Sequence, residues 1–212
     1  MGIKERKERE RDERRELILN AATEIMAAEG LDNLSIRKIA NKIEYSPAII
    51  YHYFQDKDDI VNHILKRGYQ KILGALSSNP GIPQEPEEKL KNLMRQYITA
   101  ALQMPDEYKT VQLSSTPGVL EFTSSLFAGA AGKKPALNIL FQCLKEIYCD
   151  RDVDDTSLEL TAQVISSATF GLIIKLILEK DFITTQQREV LIEHYIKLIV
   201  KGMVLGTPLN NL

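Results

Sequence analysis

Tryptophan is absent from the sequence, cysteine occurs twice and histidine three times; these scarcities remove several classes of function. Cys143 and Cys149 stand six apart within a predicted helix and so fall on different faces. Neither a disulfide framework nor a CxxC metal site is available, and a reducing compartment is the natural setting. No pair of histidines or cysteines has metal-ligand spacing, so no metal or cofactor is expected. There is no GxSxG elbow or comparable nucleophile setting. The run GAAGKK, Gly129 to Lys134, has the look of a phosphate-binding loop but lacks its earlier glycine, which is Phe127, and its final Ser/Thr, which is Lys134; no strand precedes it. An enzyme is therefore not expected. Long apolar runs are missing too: Ser166 to Leu178 is interrupted by Lys175 and too short to span a bilayer. The N-terminus, MGIKERKERERDERREL, is charged throughout and lacks the apolar centre of a secretory signal, so the expected location is cytoplasmic, without a membrane partner.

What remains is a chain of 212 residues, 44% hydrophobic, enough for one small unit and a larger helical body. Its net charge of −2 neither proves nor excludes a nucleic-acid partner, because only cations on a groove-facing side touch phosphate. The most informative stretch is Ser35 to Lys57. Ser35 is a good N-cap, and Ile36, Ile39, Ala40 and Ile43 follow at helical spacing. Glu44, Tyr45 and Ser46 interrupt the stripe. Ser46-Pro47 restarts it, with serine as cap and proline at the first helical position, and Ile49, Ile50, Tyr51, Tyr53 and Phe54 continue. Two short helices with a tight break between them match the helix-turn-helix, whose second helix enters the major groove. Ile18, Ala21, Ala22, Ile25 and Met26 predict a first helix behind them, stopped at Gly30, with Leu31 and Leu34 closing a three-helix core.

From Leu34 to Ile60 the wording resembles the DNA-binding domain of TetR/AcrR-family transcriptional regulators: Ser35, Arg37, Ile39 and Ala40, then Tyr51, His52, Tyr53, Phe54 and Lys57. Two positions depart from the family pattern. Glu44 stands where glycine is usual, so either the turn is shifted or a left-handed cost of roughly 1–2 kcal/mol is tolerated. Tyr53 stands at the family histidine, with His52 one place earlier. In this register Arg37, Tyr51, Tyr53 and Lys57 are expected on phosphate, and Ser35, the cap of its helix, is counted with them among the DNA-binding residues. Ser46, Pro47 and Ala48 are expected at base edges, and His52 is placed evenly between DNA and solvent.

The resemblance implies an all-α protein. A helix-turn-helix domain over residues 1–60, with residues 1–14 as a possible arm along DNA or a solvated, frayed terminus, joins an effector-binding and dimerisation domain over 61–212. Asp56 should cap a helix running through Ile60 to Leu76 as a mechanical link, ended by the proline-rich segment Ser77 to Pro86. Residues 106 to 134 are the least legible, with short helices around Val111 and from Leu120 to Phe127. Met94, Tyr97, Ile98, Met104, Leu113, Phe122, Phe127, Phe141 and Phe170 are candidates to line a pocket for an apolar or aromatic effector, against ordinary core packing. Two capping boxes, Thr156 with Glu159 and Thr184 with Gln187, introduce the last two helices. The first is apolar nearly all round and must be covered on more than one side. Ser167, Gly171, Ile174, Leu191, His194, Tyr195 and Leu198 are the expected homodimer interface, the alternative being that both helices fill the monomer core. Function is expected as a homodimeric repressor, released from a pseudo-palindromic duplex operator by a small effector. The alternative is a ligand-free dimer that organises DNA or docks a protein through the same head.

Overall fold

The computed structural model describes residues 2–77, 85–115 and 117–205, so most of the segment Ser77 to Pro86 lies outside the described residues. Ten α-helices occur among them, and no strand: α1 (Ile3–Glu29), α2 (Ile36–Lys42), α3 (Pro47–Tyr53), α4 (Lys57–Ser77), α5 (Pro86–Leu102), α6 (Pro105–Gln112), α7 (Pro117–Thr123), α8 (Pro135–Ile147), α9 (Asp155–Leu178) and α10 (Thr185–Leu198). The chain divides into two compact units, Met1–Tyr69 with Asp106–Thr123, and Gln70–Pro105 with Ser124–Leu212. The division falls inside α4.

In the first unit the apolar stripes foreseen from spacing close on one another. Ile18, Ala22, Ile39, Ala40, Ile50 and Ile60 are wholly buried and Phe54 nearly so. Each large side chain sealed here contributes about 1.5–3 kcal/mol, which is what holds helices as short as α2 and α3 in place. Val119 of α7 belongs to the same core, with Val111 of α6 packed against it. Arg67 of α4 reaches Glu16 and Asn20 of α1 and stands 3.7 Å from Glu107 of α6. Residues 106–123 thus pack with the head.

The break between α2 and α3 explains Glu44. Its φ is +58°, so the turn is not shifted and the left-handed cost is borne; the Tyr45 N–H donates to the Ala40 carbonyl at 2.9 Å while the Glu44 N–H donates to the Asn41 carbonyl at 3.3 Å. These two bonds form a Schellman closure, which satisfies carbonyls at the end of α2 that the helix itself leaves orphaned. The closure holds the residue in place against its steric preference.

The second unit packs α5, α8, α9 and α10 together. α9 is by length and composition apolar enough to cross a bilayer, but inside this unit it is a core helix lying against α5 and α8. Its cap is not Thr156. Asp154 accepts the N–H groups of Thr156 and Ser157 and the Ser157 hydroxyl, so the helix begins earlier than the expected capping box places it. Thr184 does cap α10, accepting from the Gln187 N–H at 3.1 Å. The guanidinium of Arg95 on α5 grips the carboxylate of Glu193 on α10 through two bonds, 2.6 and 2.9 Å. After α10 the chain widens into π-helical turns, Ile199–Leu205, which bury Val200 and Val204. Both cysteines are free; Cys143 is buried and burial, only partly offset by Lys89, pushes its thiol up to about 11.

Substituting Glu44→Gly removes the left-handed penalty while adding backbone freedom to the unfolded chain, terms of roughly 1–2 and 0.5–1 kcal/mol respectively. The expected outcome is a gain of up to about 1 kcal/mol, read as a raised denaturant midpoint with an unchanged m-value. A lowered midpoint would show that the carboxylate stabilises the turn by more than its strain.

Candidate nucleic-acid interface

The local sequence decides which side of α3 is exposed. Ile50 and Phe54 turn inward, so Ser46, Pro47, Ala48, Ile49, Tyr51 and His52 are left outside, with Tyr51 57% exposed. An aromatic that exposed on a seven-residue helix does no packing work comparable to its neighbours. Ser46 holds the N-cap position but its hydroxyl makes no capping bond, which leaves that oxygen and hydrogen for another partner. Ser35 does cap α2, accepting from the Lys38 N–H at 3.2 Å.

Pairing sorts the nearby cations. Lys38 is bound to Glu29 and Lys42 to Glu24, so both are neutralised by acids of α1. Arg37, exposed in the first turn of α2, and Lys57, at the first position of α4, occur in no ion pair among the described residues. They sit where backbone N–H groups point outward and the helix dipole favours an anion. The start of α4 is closed by Asp56, which accepts the Asp59 N–H at 2.8 Å, and by Asp59, which accepts from Gln55 at 3.0 Å.

The C-terminal end of α3 holds what sequence reasoning missed. Arg15 of α1 lies 4.6 Å from the centre of the Phe54 ring, donates to the Tyr53 carbonyl and meets the imidazole of His63 at 2.6 Å. Arg14 reaches the Tyr53 hydroxyl; that hydrogen bond, ahead of charge effects, raises its pKa. Tyr53 is therefore half-buried, packed on the core, with its hydroxyl beside a guanidinium. His52 is exposed and meets the Tyr53 ring edge-on at 5.5 Å. The signal for Arg14 and Arg15 was present as basic residues in register with the Ile18 stripe, but the alternating charges around them hid it.

Of the residues offered as an effector pocket, Met94 and Tyr97 line a cavity. A space of about 70 Å³ in the second unit is lined by Met94 and Tyr97 together with Leu76, Leu93, Leu137, Leu140, Ile165, Ser166 and Thr169. Ile98 is buried without lining it, and Met104, Phe141 and Phe170 are half-buried. Leu113 and Phe122 fall in the other compact unit, because residues 106–123 pack with the head. Phe127 sits in the loop before α8 with Lys133 and Lys134 over its ring. That loop is occupied by the chain itself: Glu159 accepts the N–H groups of Gly129 and Ala131 at 2.9 and 2.7 Å.

On α9 and α10, Ser167, Gly171, Leu191, His194 and Leu198 are exposed and Ile174 is half-buried. Leu160, Val164, Leu178 and Val190 are likewise exposed, each by about half or more. Tyr195 is half-buried, its hydroxyl 2.9 Å from that of Thr169.

A core of three helices that leaves one short helix with a bare polar and aromatic face has the build of a helix-turn-helix head. Residues 18–64 match the family described as "Bacterial regulatory proteins, tetR family". An "HTH-type transcriptional regulator HbdR" of Aromatoleum sp. (strain CIB) is 42% identical over 55 residues, 26% of this chain and 24% of that protein. The match thus spans about a quarter of that relative's length. In fold, the chain is similar to the fatty acid degradation regulator FadR of Bacillus halodurans (TM-score 0.70, 19% identity, 89% of this chain and 95% of that one). It is also similar to a TetR-like transcriptional regulator from Rhodococcus sp. RHA1 (TM-score 0.65, 16% identity, 88% and 95%). The tetR-family match thus covers the helix-turn-helix region, and the chain as a whole shares the fold of TetR-like regulators.

Lys57→Ala should weaken binding to duplexes of every sequence alike and reduce the salt slope by about 1. Fluorescence titrations over a range of salt concentrations check this; an unchanged slope removes Lys57 from the phosphate contacts.

Proposed function

We propose that the chain is a cytoplasmic homodimeric repressor that reads a pseudo-palindromic duplex operator and leaves it when a small apolar or aromatic compound binds. The observation that carries this is the bare face of α3 from Ser46 to His52, held over buried Ile50 and Phe54. Ser46 offers a hydroxyl to a base edge, while Pro47 and Ala48 offer only apolar contact, suited to thymine methyl groups and to groove shape. Arg37, Lys57, Tyr51 and the Tyr53–Arg14 pair take phosphates on either side and set the register.

Doubling of the head rests on α9 and α10. Leu160, Val164, Leu178, Val190 and Leu198 expose large apolar side chains around Ser167 and Gly171, small enough for close helix approach. A patch of this kind on a soluble chain marks a surface that is covered, and an isologous four-helix contact covers it by symmetry. Leu198→Glu places a charge in that contact and should weaken the dimer by roughly 2 kcal/mol or more, about 30-fold. Sedimentation velocity reads the shift to monomer; a dimer of undiminished strength would move the interface elsewhere.

The cavity supports an effector over a ligand-free DNA-organising dimer. Its lining is apolar with hydroxyls only at Ser166, Thr169 and Tyr97, suited to a hydrocarbon chain or ring with one polar end. At about 70 Å³ it is well short of the roughly 300–1,000 Å³ of drug-sized sites, so an effector must widen it, and the widening is the conformational signal. The fold neighbour from Bacillus halodurans is a regulator of fatty acid degradation, which makes fatty-acyl compounds, beside aromatic acids, the first to titrate. By linkage a true effector weakens DNA binding by the factor by which DNA weakens effector binding, typically 5–150-fold. Equal DNA affinity with and without such compounds, together with Met94→Trp leaving DNA affinity and release untouched, would favour the ligand-free reading.

A further inference from the structure

α1 does not begin where its core contacts begin. It runs unbroken from Ile3, although among its described side chains the first that is buried is Ile18. Residues 3–17 therefore extend the helix by about 22 Å at 1.5 Å per residue beyond that point. Glutamate, lysine and arginine favour helix. The pairs Arg6–Glu10 and Arg9–Glu13, at 2.8 and 3.5 Å, support it at i, i+4 spacing.

The charges on this extension are sorted by face. At 3.6 residues per turn, Lys4, Lys7, Arg11 and Arg14 fall within a stripe about 100° wide, and Ile18 continues the same line. Glu5, Asp12, Glu13 and Glu16 lie on the opposite side, with Glu8 and Glu10 at the stripe's edges. Of the basic residues off the stripe, Arg6 and Arg9 are paired with acids and Arg15 is turned to Tyr53 and His63. Lys4, Lys7 and Arg11 are exposed and enter no ion pair among the described residues. The face that buries Ile18, Ala22 and Ile25 in the head core thus becomes a row of unpaired cations once the core ends. The row reaches α3 at the contact between Arg14 and Tyr53, the same end of the recognition helix that Arg15 clamps.

We propose that this stripe, Lys4, Lys7, Arg11 and Arg14, is a second DNA-contacting element that takes backbone phosphates outside the half-site read by α3. It lengthens the footprint of each head by about 15 Å, the rise from Lys4 to Arg14. The contacts are to phosphate alone, so they add affinity without sequence preference and make it more salt-dependent. The assignment rests on the head being a duplex-binding module.

The test uses the full chain and a 40-base-pair duplex of random sequence, with affinity followed against salt. Lys7→Gln/Arg11→Gln should lower the slope by about 0.9 for each phosphate given up, about 2 per bound protomer. Arg6→Gln/Arg9→Gln changes net charge equally but off the stripe and should leave the slope as it was. Lys7→Arg/Arg11→Lys, which keeps both cations, should keep it too. Far-UV circular dichroism confirms that α1 stays helical in all three. Equal losses in the first two variants would trace the effect to net charge and overturn the stripe, and no loss in the first would place the extension off the DNA. If those variants are silent while Lys57→Ala still lowers the slope, only the stripe fails. A wild-type chain that binds no duplex overturns the parent reading and the stripe with it.

Discussion

The structure of the head depends on how a helix of seven residues is kept rigid. α3 is too short to persist alone, since isolated helices below about 12–15 residues are marginal in water. Two buried side chains and one guanidinium hold it. Ile50 and Phe54 enter the core; Arg15 lies over the Phe54 ring and donates to the carbonyl at the end of the helix, while its other nitrogen engages His63 of α4. One residue of α1 therefore ties three helices at a single corner. Because the inward face is fixed in this way, the outward face from Ser46 to His52 has a defined direction.

The parts that were legible in the sequence are those where one physical signal dominates. Ser35 as cap, the apolar spacing of α2, Pro47 at the first position of α3, Asp56 opening α4 and the break at Glu44 all follow from local chemistry. What was hidden depends on partners distant in sequence. Thr156 and Glu159 have the spacing of a capping box, but Asp154 caps more strongly by taking two N–H groups and a hydroxyl, and Glu159 is spent on the loop at Gly129 to Ala131. Residues 106–123 carry too little periodicity to declare which core they serve; only Val119 among the buried head residues settles it. The residues offered for a pocket are spread over both compact units for the same reason. Side-chain type does not encode which of two cores a residue enters.

Charge placement shows the same division between pattern and context. The chain is slightly acidic, yet acids neutralise specific cations and leave others bare. Glu24 and Glu29 quiet Lys42 and Lys38, while Arg37 and Lys57 stand at helix starts in no ion pair among the described residues. In the second unit the Arg95–Glu193 grip depresses the Glu193 pKa, chiefly through the hydrogen bond from the guanidinium. A carboxylate held below its usual range adds stability above the unfolded pKa, near 4.3 for glutamate, and loses it as pH falls through the depressed folded value. Both partners are about two-fifths exposed, so water screens much of that contribution.

The passage of residues 106–123 into the first unit bears on how the polypeptide is to be cut. A fragment ending near residue 60 or 69 keeps every reading-head helix, but strips Val119 from a sealed interior and parts Arg67 from Glu107. Exchange of reading heads between relatives at a single junction would leave the recipient with a mismatched lining at the same place. The transferable module is discontinuous, two stretches of chain carried over together.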